Sequence, residues 1–177
     1  MDVDQRFVED NLAYYEETQG VLPERLAAFG ETYHDQGFLT RDQLHDIAYE
    51  SSTRSAYHVK KNPDNRCKTV TQIIYDVTDD FSRAALLTSL NGFKAPTASC
   101  VLAAQRPDED AVVDTRVWAS LNRFDYVEGR KESFDADDYT VMIKPIRRIA
   151  NQTGCRPVDV GYALFAYDDK VRDGTLH

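Results

Sequence analysis

Long apolar runs are missing from this chain, and no stretch approaches the length of a membrane span. The start, Met1-Asp2-Val3-Asp4-Gln5-Arg6, lacks the basic and apolar parts of a secretory signal. Both absences lead us to expect a cytoplasmic protein with no membrane partner. Cysteine is sparse: Cys67, Cys100 and Cys155 are odd in number and far apart. That spacing excludes a disulfide framework and fits no zinc or iron–sulfur motif. The four histidines, His34, His45, His58 and His177, have no ligand spacing either, so we expect no metal. No motif points to a Ser-His-Asp or Cys-His arrangement. Positive charge is also scarce. Lys and Arg number 21 against 30 Asp and Glu, a net charge of -9, which disfavours casual binding to nucleic acid. The acids are 21 Asp to 9 Glu, and the bases 14 Arg to 7 Lys. This bias suits a salt-adapted protein or a mildly acidic cytosolic one, and a salt titration of folding separates the two.

What is present reads as helix. At 177 residues the chain suffices for one packed domain or two small lobes sharing a helical core. Val70, Ile73, Ile74 and Val77 fall on one helical face, with Asn62 as cap and Pro63 in the first turn. Thr40 is placed to cap a helix that turns Leu44, Ile47 and Ala48 inward. Thr78 is placed to cap another, carrying Phe81, Ala84, Ala85, Leu87 and Leu90. Residues 137–152 read as a helix interrupted or kinked at Pro145, with Gly154 as its stop. Pro157 starts a last helix bearing Val160, Ala163, Leu164 and Tyr167. Only Ala111-Val112-Val113 looks extended. The expected fold is an all-α orthogonal bundle, a single helical domain over 1–177.

One segment suggests chemistry. Helices at about 79–90 and 96–105 meet at Asn91-Gly92-Phe93-Lys94-Ala95, where Gly92 tolerates positive φ and Pro96 suits a first helical turn. Thr97, Ala98 and Ser99 are small and permit close approach. Such a turn aims unpaired amides at an anion, so Asn91, Gly92, Phe93, Lys94 and Ala95 are candidates for holding a backbone phosphate. Simple helix packing also explains the turn, and a solvated role explains Lys94. Asp114 follows eighteen residues after Pro96, at the start of the helix in an acid-bearing loop and helix over 111–123. It is either a plain N-cap or a catalytic carboxylate, and both can hold together.

These residues resemble the helix-hairpin-helix superfamily of base-excision DNA glycosylases. Its hairpin reads Leu-Pro-Gly-Val-Gly and then Thr-Ala, followed by a loop and a catalytic aspartate. Leu90, Gly92, Phe93, Thr97 and Ala98 match the hairpin, Pro107 lies in the loop, and Asp114 takes the aspartate position. A small branch of the superfamily is similar to Pro96-Thr97-Ala98-Ser99, to Val113-Asp114-Thr115-Arg116-Val117-Trp118, and to Tyr162-Ala163-Leu164-Phe165-Ala166-Tyr167. The likeness is dense over 81–121, thinner over 38–80 and 134–167, and absent from 1–37. It implies a monofunctional DNA N-glycosylase acting on double-stranded DNA, with Asp114 catalytic. The alternative is a catalytically silent DNA-binding or protein-interaction module. Lys94 replaces the second hairpin glycine, and Pro96 stands where bifunctional members carry a lysine, so no Schiff base forms there. The resemblance implies no organic cofactor and allows a monovalent cation at the hairpin.

The same branch carries Trp-Lys-Ser-x-Arg where this chain has Tyr49-Glu50-Ser51-Ser52-Thr53-Arg54. With Lys60 and Lys61 this is a locally basic, aromatic stretch. Tyr49, Arg54, Lys60 and Lys61 are candidates for the pocket or a DNA track, against the alternative of cations complementing a helix end. Arg116 either pairs with an interior acid or reaches a phosphate. Trp118 is assigned to the core, and Arg147 and Arg148 to the surface or to packing.

Overall fold

A computed structural model describes residues 3–19 and 22–172. Met1, Asp2 and His177, named above, lie outside them. The elements are α1 (Gln5–Gln19), α2 (Leu22–Gln36), α3 (Arg41–Ser51), α4 (Thr53–Val59), α5 (Asp64–Asp76), α6 (Asp80–Thr88), α7 (Ala95–Gln105), α8 (Thr115–Arg123), α9 (Ala136–Thr153) and α10 (Pro157–Val171). The described residues form an all-α bundle without strands. None of the helices is long and apolar enough to cross a membrane.

Helix α7 is the centre. Every residue of it but Pro96 is buried, and α2, α3, α6 and α9 pack around it. Small side chains make this possible. At Gly30 on α2 an added Cβ would overlap the Ala104 carbonyl, so the two backbones meet directly. Helix α10 then joins α1, α8 and α9 into the same continuous core.

Local signals explain several boundaries. Thr40 caps α3 in a reciprocal capping box with Gln43, and Leu44, Ile47 and Ala48 are buried. Gly154 ends α9 in the left-handed conformation at φ 71°. Helix α9 runs unbroken through Pro145. Its lost hydrogen bond would fall on the Val141 carbonyl, at an exposed residue where water can substitute.

Other expectations need correction. The buried face of α5 is Cys67, Val70, Thr71 and Ile74, whereas Ile73 is exposed and Val77 lies past the helix end. Thr71 is buried because its hydroxyl is satisfied: it accepts from the Leu39 amide at 2.8 Å and donates to the Cys67 carbonyl at 2.8 Å. Asp79, not Thr78, takes the N-cap position of α6, its carboxylate accepting from the Ser82 amide at 2.8 Å. Phe81 is 44% exposed rather than inward. Residues 111–113 form a loop, tied to α7 by the Val113 amide donating to Ser99 Oγ at 3.0 Å.

Pro63, not Asn62, takes the N-cap position of α5. Asn62 is instead buried and clasps the α6–α7 turn. Its Oδ1 accepts from the Asn91 amide at 2.9 Å, and its Nδ2 donates to the Asn91 carbonyl at 2.9 Å. Gly92, at φ 86°, fits beneath α4: a Cβ there would lie 2.5 Å from the Ser55 carbonyl oxygen and 2.9 Å from the Val59 amide. Gly92→Ala therefore combines left-handed strain with a backbone clash. We expect it to cost about 2–4 kcal/mol in a denaturant melt.

Candidate functional site

The α6–α7 turn and the α8 N-terminus meet at one cavity. Its volume is about 560 Å³, within the usual range for a small-molecule site. Asp114, Thr115 and Val117 form one side, and Lys94, Pro96, Thr97 and Cys100 of the turn and α7 form another. Ser51, Ser52 and Ser55, from the α3–α4 junction, supply hydroxyls. Tyr15, Tyr162 and Phe165 supply an aromatic wall. Tyr15 stacks on Tyr162 with centroids 4.8 Å apart and meets Phe165 edge-on at 5.4 Å.

Asp114 is the half-buried N-cap of α8. Its Oδ1 accepts from the Val117 amide at 2.9 Å, while Oδ2 has no well-aligned hydrogen bond among the described residues. The same residue that holds the helix thus also borders the cavity. Burial raises the carboxyl above its ordinary 3.8, against the opposing pull of the Val117 and Arg116 amides and the Arg116 charge. Burial likewise raises the Tyr15 and Tyr162 phenols and pushes the Cys100 thiol up to about 12. These three stay neutral, and Cys100 is no nucleophile at neutral pH.

The turn is less open than its sequence implies. The Asn91 amide is held by Asn62, the Phe93 amide by the Leu90 carbonyl at 3.2 Å, and the Ala95 amide by the Phe134 carbonyl at 3.4 Å. The Phe93 side chain is buried. Asn91, Phe93 and Ala95 are thus corrected: their amides hold the turn itself. Gly92 and Lys94 keep amides without a partner among the described residues. Lys94 is exposed at the cavity rim, with Nζ 3.5 Å from Ser133 Oγ.

The remaining candidates divide. Arg116 does not line the cavity: it pairs with Asp169 at 3.0 Å and Asp168 at 3.6 Å and covers the Phe165 ring. Of its two alternatives the interior acid holds, because Asp168 is fully buried and also pairs with Arg123 and Arg172. Tyr49, Arg54, Lys60 and Lys61 do not border the cavity; all four are exposed. Glu50 does border it, and pairs with Arg25. Trp118 is core, its Nε1 donating to the Gly129 carbonyl at 2.8 Å. Among the described residues no group of three His, Cys, Asp or Glu converges for a metal ion.

Sequence reasoning missed Tyr15 because nothing around it carries a motif. Tyr162 and Phe165 stood in the aromatic stretch of the last helix, and their i, i+3 spacing was the available signal for a shared face. No family model, no curated protein and no solved structure matches the chain.

Proposed function

We propose that this protein is a monofunctional DNA N-glycosylase of the helix-hairpin-helix type. The observation that carries the reading is Asp114, whose Oδ2 has no well-aligned hydrogen bond among the described residues, bordering an aromatic cavity beside the α6–α7 turn. A flipped nucleotide needs such a space, with rings to stack on and hydroxyls for its polar edge. The cavity offers Tyr15, Tyr162 and Phe165 for the first, and Ser51, Ser52 and Thr97 for the second.

In this scheme the C1′–N bond breaks and the base leaves with its electron pair, taking a proton. Positive charge develops at C1′, and the Asp114 carboxylate stabilises it. Water adds at C1′ and gives up its proton. Pro96 lines the same wall and offers no amine, so the strand stays intact at the abasic site.

The test is a panel of uracil, alkylated and oxidised duplexes, with free base measured by mass spectrometry. Base release with strand scission only after alkali supports the proposal. No release from any duplex, with binding retained, supports the silent module instead, which the Asp114 capping bond and the internally used turn amides favour.

The raised Asp114 carboxyl gives a pH signature. Just above pH 3.8 the folded protein retains a proton that the unfolded chain has lost. Stability from this group therefore falls as pH rises through that window. Base release, which needs the carboxylate, rises through it. Single-turnover rates should show an acid limb above pH 3.8, and unfolding midpoints should show the opposing trend.

A further inference from the structure

We infer that the outward face of α4 and the turn after it carry most of the electrostatic grip on a DNA strand, in place of the α6–α7 turn. Three observations converge. Arg54, Tyr57, His58 and Lys61 fall at i, i+3, i+4 and i+7, so one face presents all four, with Lys60 beside them. All five are exposed, Tyr57 at 67%. Arg54, Lys60 and Lys61 have no carboxylate partner among the described residues, although most arginines of this acidic chain are paired. The Lys61 ammonium sits 5.3 Å from the Tyr57 ring centroid and 3.1 Å from His58 Nδ1, which holds it on this face.

Position supplies the partner. The other faces of α4 are occupied: Ala56 and Val59 are buried, and the Ser55 carbonyl and Val59 press on Gly92. Ser52 and Ser55 border the cavity. A strand lying along Arg54, Lys60 and Lys61 would thus pass the cavity mouth. The nearest ionised competitor in sequence, Asp64, is already engaged by Lys68 at 2.7 Å and by the Arg41 amide at 2.9 Å. Lys144 and Arg148 are also without a carboxylate partner among the described residues, but α9 contributes no residue to the cavity lining, whereas α4 contributes Ser55. Among the described residues the turn keeps two amides without a partner, and Lys94, for the same task.

This inference rests on the proposed function for its partner alone, so binding is tested apart from base release. A fluorescein-labelled duplex is titrated by anisotropy over about 25–200 mM salt, a range in which each phosphate contact contributes roughly 0.9 to the log–log slope. The triple variant Arg54→Gln, Lys60→Gln, Lys61→Gln should lower the slope by about 2.7 and weaken binding by about tenfold or more. Lys94→Gln should lower it by about 0.9 at most. Lys144→Gln with Arg148→Gln should match wild type. Arg54→Gln and Lys61→Gln alone repeat the test, about 0.9 each, if the triple variant melts early. A wild-type slope in the triple variant overturns the surface, as does absent wild-type binding. Competition by polyglutamate equal to that of DNA at matched charge also overturns it. Slope losses as stated, in a protein releasing no base, support the surface and overturn the reaction.

Discussion

Asp114→Asn should reduce base release by about a hundredfold or more while leaving the fold and duplex binding in place. Two properties make this substitution decisive. Asparagine caps a helix about as well as aspartate, so the bond to the Val117 amide at 2.9 Å survives. The side chain keeps its shape but loses the charge that the proposed reaction places against C1′. Binding should hold or tighten, because a negative group near phosphates is removed. Asp114→Ala is the poorer experiment, since it also removes the cap at about 1 kcal/mol. Single-turnover release and anisotropy on the same duplex check the result. Equal rates in wild type and Asp114→Asn would reduce Asp114 to its capping role.

The largest stability effect is expected away from the cavity, at Asp110. Arg83 and Asp110 are both fully buried and pair at 2.8 Å. The Tyr139 hydroxyl donates to Asp110 Oδ1 at 2.7 Å, and Arg147 donates to the same oxygen at 3.2 Å. Arg83 also donates to Gln105 Oε1 at 3.0 Å, and Arg147 pairs with Asp80. The network joins α6, α7, α9 and the loop between α7 and α8. Asp110→Ala leaves the Arg83 guanidinium buried and uncompensated, at a cost of about 3–5 kcal/mol. At roughly 2–4 °C per kcal/mol for a chain of this size, the Tm should fall by about 6–20 °C. Adding Arg83→Met removes the stranded charge and should restore part of the loss, because an apolar pair tolerates this site better than half an ion pair. A calorimetric melt of the two variants checks both statements. If Asp110→Ala and the double variant melt alike, stranded charge is not the cause.

The contrast between these sites shows what a linear reading can reach. Thr40 before α3 and Gly154 after α9 were legible because capping residues act within one helical turn of the end that they mark, and the structure adds Gln43 as the reciprocal partner of Thr40. Asp114 and Lys94 were legible as neighbours through the spacing of turn and acid, and they do border one cavity. The Asn62 clasp was not, since it joins residues 29 apart through a loop with no periodicity. The α5 face was misplaced for a related reason. Apolar counting favours Ile73 over Thr71, but Thr71 finds its hydrogen bonds inside the fold. Helix α7 shows no polar face to count, because the bundle surrounds it. The aromatic wall comes from opposite ends of the chain, Tyr15 on α1 and Tyr162 on α10, brought together by helix packing alone. Arg116 was left between two partners because its acids, Asp168 and Asp169, belong to α10.

The central claim is that the Asp114 charge faces the sugar carbon from which a base departs. Its most direct test compares two abasic duplexes, one with a neutral tetrahydrofuran and one with a protonated pyrrolidine whose cation mimics the developing charge. The account predicts that wild type binds the cationic duplex about tenfold or more tighter than the neutral one, and that Asp114→Asn erases the preference. Equal affinity of wild type for both duplexes would contradict it.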